Sequence, residues 1–405
     1  MPSEAPWAYL LRLPVGSGAI ALIHSDQVIS RDGKEYFSIR RCLVGNPEVT
    51  DRSGVCYING HRINKVAHIE HGWKISVRVV GKEYIFVDCD LSNRLLRPLG
   101  LNGSHAIGQL LGQGGFGEVY LCFEKKSTSP IALKITKEGS DREKNILKSL
   151  KHAHIINTRF FTNVGQKTFI GMEYMAGGDL SAFVQEGRVI LTENQTKLIF
   201  YQLTDAVVYL HSKGVCHRDL KPANILLHRA PPRTLIKVTD LGISKSELLH
   251  SPPNTAIGTV RFMAPETLHQ NYTKKVDVWS LGVILYLSLT GRYASVSANR
   301  NDVPLPELAS NRIVTRLIKK MLQISPTHRA DITDVMRHEW LQDENVKREA
   351  ALLRAEFQNG PTTPIIVNPP SEKLKQAENE GIGVAGTIGL IVGGIVVIAL
   401  AILFR

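Results

Sequence analysis

Through the first ninety residues, apolar and polar positions alternate in short runs broken by Gly, Asn and Asp. The runs at 19–24, 36–40, 55–58, 74–80 and 84–87 are rich in Val, Ile, Tyr and Phe, the composition and period of half-buried strands. They predict a small all-β domain, a sandwich, over residues 1–90. Residues 91–104 turn polar and read as a short linker. Farther along, the period lengthens. Leu198, Tyr201, Leu203, Ala206 and Leu210 recur at helical spacing, which predicts a long amphipathic helix over 192–212 with those residues inside. Ile146, Leu147 and Leu150 mark a shorter helix in the same way. The runs at 225–227 and 235–238 predict a hairpin with Pro231-Pro232 in its turn. Residues 342–380 divide into a helical extension rich in Glu, Arg and Ala and a proline-rich polar tether.

The last run is of another kind. Residues 381–404 hold no charged side chain. As a helix, about 24 residues would extend about 36 Å, enough for a hydrocarbon core of about 30 Å. Only Arg405 lies beyond it, so the segment would insert after synthesis as a tail anchor. The rest of the chain would then sit on the cytosolic face of an intracellular membrane. Gly381, Ala385, Gly389 and Gly393 recur every four residues and form one small-residue face. That face could pair two anchors into a homodimer, or the glycines could simply moderate hydrophobicity. Near the N-terminus, Arg12 and Pro14 interrupt the only apolar candidate, so no secretory signal peptide is expected.

Composition changes this picture little. The chain has 405 residues, 43% hydrophobic and 21% charged, which leaves room for two or three globular domains. The net charge of +12 is spread over short basic runs with no nucleic-acid-binding motif, so no nucleic-acid partner is expected. An anionic membrane face suits that charge. The five cysteines are odd in number and irregularly spaced, which predicts reduced thiols and no zinc site.

The chemistry concentrates at His217-Arg218-Asp219-Leu220-Lys221-Pro222-Ala223-Asn224. Phosphoryl transfer needs a carboxylate to orient the attacking hydroxyl, a cation to offset charge on the moving group and an oxygen ligand for magnesium. Asp219, Lys221 and Asn224 supply these in order. Upstream, Leu111-Gly112-Gln113-Gly114-Gly115-Phe116-Gly117-Glu118-Val119 sets glycines where a backbone can close over phosphates. Val119-Tyr120-Leu121 continues as a strand rather than a helix, unlike a dinucleotide-binding turn. Lys134 follows in Ile131-Ala132-Leu133-Lys134, and Asp240-Leu241-Gly242, Ala264-Pro265-Glu266 and Asp277-Val278-Trp279-Ser280-Leu281-Gly282 come later.

In order and spacing, residues 105–341 resemble a serine/threonine protein kinase domain, in particular that of the checkpoint-effector kinases, which join a forkhead-associated (FHA) domain to a calmodulin-kinase-like catalytic domain. The resemblance implies a bilobal α+β fold, ATP and Mg2+ as cofactors and protein serine or threonine as substrate. It implies Asp219 and Lys221 as catalytic residues, and Asn224 and Asp240 as metal ligands. ATP would be held by the loop from Leu111 to Val119, by Lys134 paired with Glu143, and by the backbone of Glu173 and Met175. Arg218 would meet a phosphorylated Thr255, and Thr259 would contact the catalytic aspartate. Asp179 would hold a substrate arginine, or merely favour a helix dipole. Glu266 would pair with Arg329, and Asp277 would brace the catalytic loop. The segment from Lys134 to Glu143 and the stretch from Gly291 to Arg329 are shorter than in the family. That leaves open an alternative, a catalytically weak kinase-fold scaffold that recruits phosphoproteins at a membrane.

At the N-terminus, Ile29-Ser30-Arg31-Asp32-Gly33 and Asp51-Arg52-Ser53-Gly54 running into Tyr57-Ile58-Asn59-Gly60 resemble an FHA domain. That likeness implies a phosphothreonine-peptide partner held by Arg31 and Ser38. Arg41 stands where the family has histidine, and its Asn-Gly-Thr step is reduced to Val55-Cys56. A sandwich kept for packing or protein contacts is the other reading.

Overall fold

The computed structural model of the chain describes residues 8–12, 19–22, 26–31, 34–42, 46–69, 72–77, 81–114, 117–124, 130–137, 141–241, 260–268, 272–294, 303, 312–359, 391–392 and 395–396. The N-terminal region is a two-sheet sandwich. One sheet contains β1 (Ala8–Arg12), β2 (Ala19–Leu22), β6 (Cys56–Ile58), β7 (His61–Arg62), β9 (Lys74–Val77) and β10 (Lys82–Asp88) in the order β2-β1-β10-β9-β6-β7. The other contains β3 (Asp26–Arg31), β4 (Lys34–Arg40), β5 (Glu48–Asp51) and β8 (Val66–His68) in the order β3-β4-β5-β8. Neighbouring strands pair antiparallel. Leu10, Phe37, Ile39, Val49, Ile75 and Phe86 are among the side chains that fill the space between the sheets.

β10 explains how this domain is joined to the next. Its side chains alternate between faces. Tyr84 and Phe86 point into the sandwich, whereas Ile85 and Val87 pack with Ala106, Leu121 and Phe123 of the following domain. Both faces are buried, which is why 84–87 is a continuous apolar run. Residues 91–104, expected as a polar linker, begin instead within helix α1 (Cys89–Leu96), followed by a 3-10 turn (Arg97–Leu99). α1 lies on the next strand, and its Leu96 is fully buried among Ile107, Cys122 and Leu133.

The next domain opens with an antiparallel sheet of β11 (His105–Gly114), β12 (Gly117–Glu124), β13 (Pro130–Lys137), β14 (Thr158–Val164) and β15 (Lys167–Glu173), ordered β11-β12-β13-β15-β14. Helix α2 (Asp141–Ser149) lies between β13 and β14 in sequence. A helical lobe follows. α3 (Glu193–Ser212) starts at a capping box in which Thr192 and Gln195 satisfy each other's backbone amides. Strands β16 (Val184–Gln185) and β17 (Arg188–Val189) pair ahead of it, and β18 (Ile225–Leu227) and β19 (Ile236–Val238) pair after it. α4 (Lys275–Thr290) is buried continuously from Val276 to Ser288 and is apolar around its circumference, as a helix at the centre of a lobe must be. α5 (Arg312–Met321) packs on α4, and α6 (Ile332–Arg337) packs on α3.

The expected C-terminal extension is a docked helix, α7 (Glu344–Asn359). Val346, Ala350 and Leu353 pack with Ile156, Met172, Met175, Leu198 and Leu235. Arg354 pairs with Asp205 at 3.3 Å, and Arg233 holds both Glu349 and Glu356. Among the described residues, no helix is long and apolar enough to cross a membrane. The expected anchor, 381–404, lies outside the described residues except for Ile391–Val392 and Ile395–Val396, which pair as short antiparallel strands.

Leu353 is 2% exposed and its neighbour Leu352 is 48% exposed. We expect Leu353→Ala to lower the unfolding free energy by about 2–5 kcal/mol, whereas Leu352→Ala should change it by less than about 0.5 kcal/mol. Urea unfolding followed by fluorescence measures both; equal effects would mean that α7 is not packed as described.

Candidate active site

The eight-residue loop after α3 is held by one carboxylate from α4. Asp277 Oδ2 accepts from His217 N at 2.9 Å, and Oδ1 accepts from Arg218 N at 2.8 Å. His211, on the last turn of α3, donates Nε2–H to Oδ2 at 2.8 Å. Burial of Asp277 acts to raise its pKa, but the hydrogen bonds it accepts from the His211 ring and the His217 amide hold it below the usual carboxylate range. Arg218 adopts a left-handed backbone, φ 66°, which a non-glycine residue keeps only when its surroundings impose it. His217 is completely buried. Its Nδ1 accepts from Asp219 N at 3.2 Å, so the proton sits on Nε2, which donates to Thr239 O at 2.9 Å. Burial lowers its pKa and keeps it neutral.

The loop brings the three expected residues together. Lys221 Nζ stands 3.3 Å from Asp219 Oδ2. Asn224 Nδ2 donates to Asp219 O at 2.7 Å and to Asp219 Oδ2 at 3.2 Å, which leaves the amide oxygen as the end available to a cation. The backbone bond from Thr239 N to Asn224 O, 3.0 Å, ties the loop to the segment that carries Asp240. Asp240 is itself left-handed, φ 53°, and its Oδ1 accepts from Lys134 Nζ at 2.5 Å. Lys134 therefore reaches across from β13 to the helical lobe. Its expected partner Glu143 lies on α2, but the Glu143 side chain is outside the described residues.

The glycine-rich turn joins β11 and β12. Gly117 has φ +114°, and a Cβ there would come within 2.1 Å of Ile135 O, so only glycine fits. At Gly112 and Gly114 a Cβ would meet nothing within 4 Å, which marks open space beside the strand. Leu111, Gln113, Glu118 and Val119 are placed on the same two strands, and Gly115 and Phe116 lie outside the described residues. These residues fit ATP and Mg2+. The open space lies along a glycine backbone, a lysine stands across the sheet from it, and Asn224 and Asp240 offer the hard oxygen donors that magnesium prefers. Glu173 and Met175 connect the lobes. Glu173 N donates to Asn157 O, and the Glu173 carboxylate pairs with the buried Lys237 at 2.8 Å.

Other expected residues divide. Arg329 Nη1 and Nη2 grip Glu266 at 2.5 and 2.9 Å, a bidentate pair with Arg329 fully buried. Asp179 Oδ1 accepts from Ser181 N at 2.8 Å and caps a 3-10 turn. Arg218 lies 5.6 Å from the Tyr272 ring centre, and its buried Nε has no hydrogen-bond partner among the described residues. Thr255 and Thr259 lie outside the described residues, as does the Arg31 side chain. Ser38 is buried, and its hydroxyl accepts from Arg52 Nε at 3.2 Å. Sequence reasoning missed His211, Lys237 and Arg52. Each meets its partner only through the fold, His211 across 66 positions, so no spacing could have revealed it.

Residues 105–341 match the protein kinase domain family. The chain is 31% identical over 369 residues to the ovarian-specific serine/threonine-protein kinase Lok of Drosophila melanogaster, covering 81% of this chain and 77% of that protein. It is 31% identical over 271 residues to the serine/threonine-protein kinase chk-2 of Caenorhabditis elegans, covering 59% of this chain and 56% of that one. To the serine/threonine-protein kinase SRK2A of Physcomitrium patens it is 34% identical over 254 residues, covering 57% of this chain and 72% of the relative. The match to Lok extends beyond residues 105–341.

His154, at the lobe junction, gives a pH prediction. Its Nδ1 donates to Ile236 O at 3.1 Å, and burial pushes its pKa down to about 3. Between that value and about 6.5 the unfolded chain takes up a proton that the folded chain refuses, so acid costs stability. His217 acts in the same direction. We expect the unfolding free energy to fall as pH drops from 7 to 5, with His154 contributing at most about 1.4 kcal/mol per pH unit. His154→Gln should flatten that slope by up to one proton. An unchanged slope in urea titrations at the two pH values would show that His154 is not buried neutral.

Proposed function

The chain belongs to the protein kinase family, and from that premise we propose that it works tethered to the cytosolic face of an intracellular membrane and reads phosphothreonine through its N-terminal sandwich. It is a serine/threonine protein kinase that uses ATP and Mg2+. One observation carries the assignment of residues: Asp219, Lys221 and Asn224 converge on a loop that Asp277 pins from below. On this reading Asp219 orients the substrate hydroxyl and accepts its proton. Lys221 offsets charge beside it. Lys134 and the backbone from Leu111 to Val119 hold the nucleotide, and Asn224 and Asp240 hold the metal. Bound Mg2+ would neutralise charge on the β- and γ-phosphates. Thr255, once phosphorylated, would meet Arg218, whose buried Nε has a donor to offer.

Two features support the finer reading. The uncharged run at 381–404 is long enough to span a bilayer as a helix. In lipid every backbone polar group must be satisfied within the segment, so a helix would replace the two short strands at 391–392 and 395–396. The sandwich is a separate two-sheet body packed on β11 and β12, and the match to Lok reaches beyond the kinase domain.

We expect the full chain in detergent, with Mg2+ and ATP, to phosphorylate a serine peptide carrying arginine three positions upstream. Asp219→Asn should lower kcat by about 10²–10⁴-fold, and Thr255→Ala should lower it by a smaller factor. No transfer by a Thr255-phosphorylated sample would move the reading to a scaffold. In flotation assays, the chain should rise with vesicles and a chain ending at residue 380 should not. Loss of self-association in Gly389→Ile/Gly393→Ile would support paired anchors; equal flotation of both chain lengths would sink the tether.

A further inference from the structure

An arginine other than the expected Arg31, Arg52, is held across the sandwich turn against β4. Arg52 sits on a turn that Asp51 ties down. Asp51 Oδ1 accepts from Ser53 N at 2.9 Å, Ser53 Oγ at 3.1 Å and Gly54 N at 2.8 Å, and Oδ2 accepts from Cys56 N at 3.1 Å. Arg52 N itself donates to Tyr36 O at 3.0 Å. The backbone is thus fixed on both sides of the side chain. From there the guanidinium reaches onto β4. Its Nε donates to the buried Ser38 Oγ at 3.2 Å and Nη1 donates to Glu35 Oε2 at 3.0 Å, while Nη2 makes no bond among the described residues. Arg62 Nη2 donates to Gly54 O at 2.8 Å, which sets a second guanidinium against the same turn.

The position of Glu35 depends on a bulge. Opposite β3, Phe37 pairs with Ile29 and Glu35 with Ser30, so Tyr36 is an extra residue. Without it, alternation would put Glu35 on the face of Phe37 and Ile39, both fully buried. The bulge re-aims Glu35 to the side where Ser38 meets Arg52. A carboxylate therefore sits on one arm of a guanidinium whose fork also matches phosphate. The Arg52–Glu35 pair is exposed on both sides, 40% and 53%, so it holds weakly. A phosphate brings more charge than a carboxylate and more acceptors.

We propose that Arg52, oriented by Ser38, binds the phosphate of a phosphothreonine peptide, and that Glu35 is a latch which that phosphate displaces. The proposal rests on the reading of the sandwich as a phosphothreonine binder and replaces Arg31 at its centre.

The test uses the full chain in detergent micelles and a fluorescent peptide pool with one fixed phosphothreonine between randomised flanks, against the unphosphorylated pool. Fluorescence anisotropy reports binding, and thermal unfolding checks that each variant is folded. Arg52→Ala should weaken phosphopeptide binding by about tenfold or more. Glu35→Gln should tighten it by about threefold, a gain that misfolding cannot produce. Binding that survives Arg52→Ala but is lost in Arg31→Ala would leave the phosphothreonine reading standing and overturn the assignment to Arg52. No change in Glu35→Gln would overturn the latch. If neither the wild-type chain nor Glu35→Gln distinguishes the two pools, the phosphothreonine reading itself falls, and the proposal with it.

Discussion

The active site depends on a buried carboxylate whose lone pairs are taken up by the groups it must hold. Asp277 is fully buried, where a charge with no partners would be costly. It accepts from two consecutive backbone amides and from His211. Those amides belong to His217 and Arg218, and the left-handed backbone of Arg218 costs about 1–3 kcal/mol, so it persists only where its surroundings impose it. The carboxylate imposes it. From there the order spreads along the loop. His217, held by its amide, clamps Asp219 N on one ring nitrogen and Thr239 O on the other. The catalytic loop and the strand that leads to Asp240 are therefore positioned by the same ring. Asn224 completes the arrangement by bonding back to Asp219. The support beneath is α4, which is buried all round and cannot shift without opening the core of the lobe.

A second constraint acts at the connection between the lobes. On one side Tyr174 and Leu111 pack against the cluster in which Ile85 and Val87 of the sandwich meet β11 and β12. On the other, Met172 and Met175 share a cluster with Val346, Ala350 and Leu353 of α7. The Lys237 ammonium pairs with Glu173 and lies 5.0 Å from the Phe357 ring centre. The connection between the lobes is thus packed from before residue 105 and from beyond residue 341. On the proposed reading, in which that connection holds the adenine, a change in either flanking element would be felt at the nucleotide.

What the sequence made legible follows from how local each signal is. Asp219, Lys221 and Asn224 lie within six residues, and Gly112 to Gly117 also lie within six, so both motifs were visible as written. The long helix α3 was visible because its apolar face repeats over twenty residues. β3, β5, β7 and β8 were not, being short or polar strands, and β1 was not because its apolar residues run together rather than alternate. The linker expected at 91–104 hid α1, because its docking face needs little more than Leu96 and takes its apolar partners from β11 to β13. Ser38 was singled out from the sequence, but its bonding partner Arg52 was not. Arg52 reaches Ser38 through the pairing of β4 with β5 and a bulge, and neither leaves a trace in the spacing.

The ion pairs of the chain sort by what must happen to them. Arg329 and Glu266 bond at both ends of the fork, and Asp277 accepts from three donors. Both are buried, and removing one partner would strand the other away from water. Such pairs suit positions that never open. Lys134–Asp240 and Arg52–Glu35 differ. Each joins its partner through one contact, and in each the acid is more than a third exposed. Water already competes for them, so an arriving phosphate or cation need only better a weak bond. Both lie at places where the chain is read as receiving phosphate, one in the cleft and one on the sandwich. On the proposed reading, partial exposure there serves function, because a saturated pair at either place would exclude the ligand it admits.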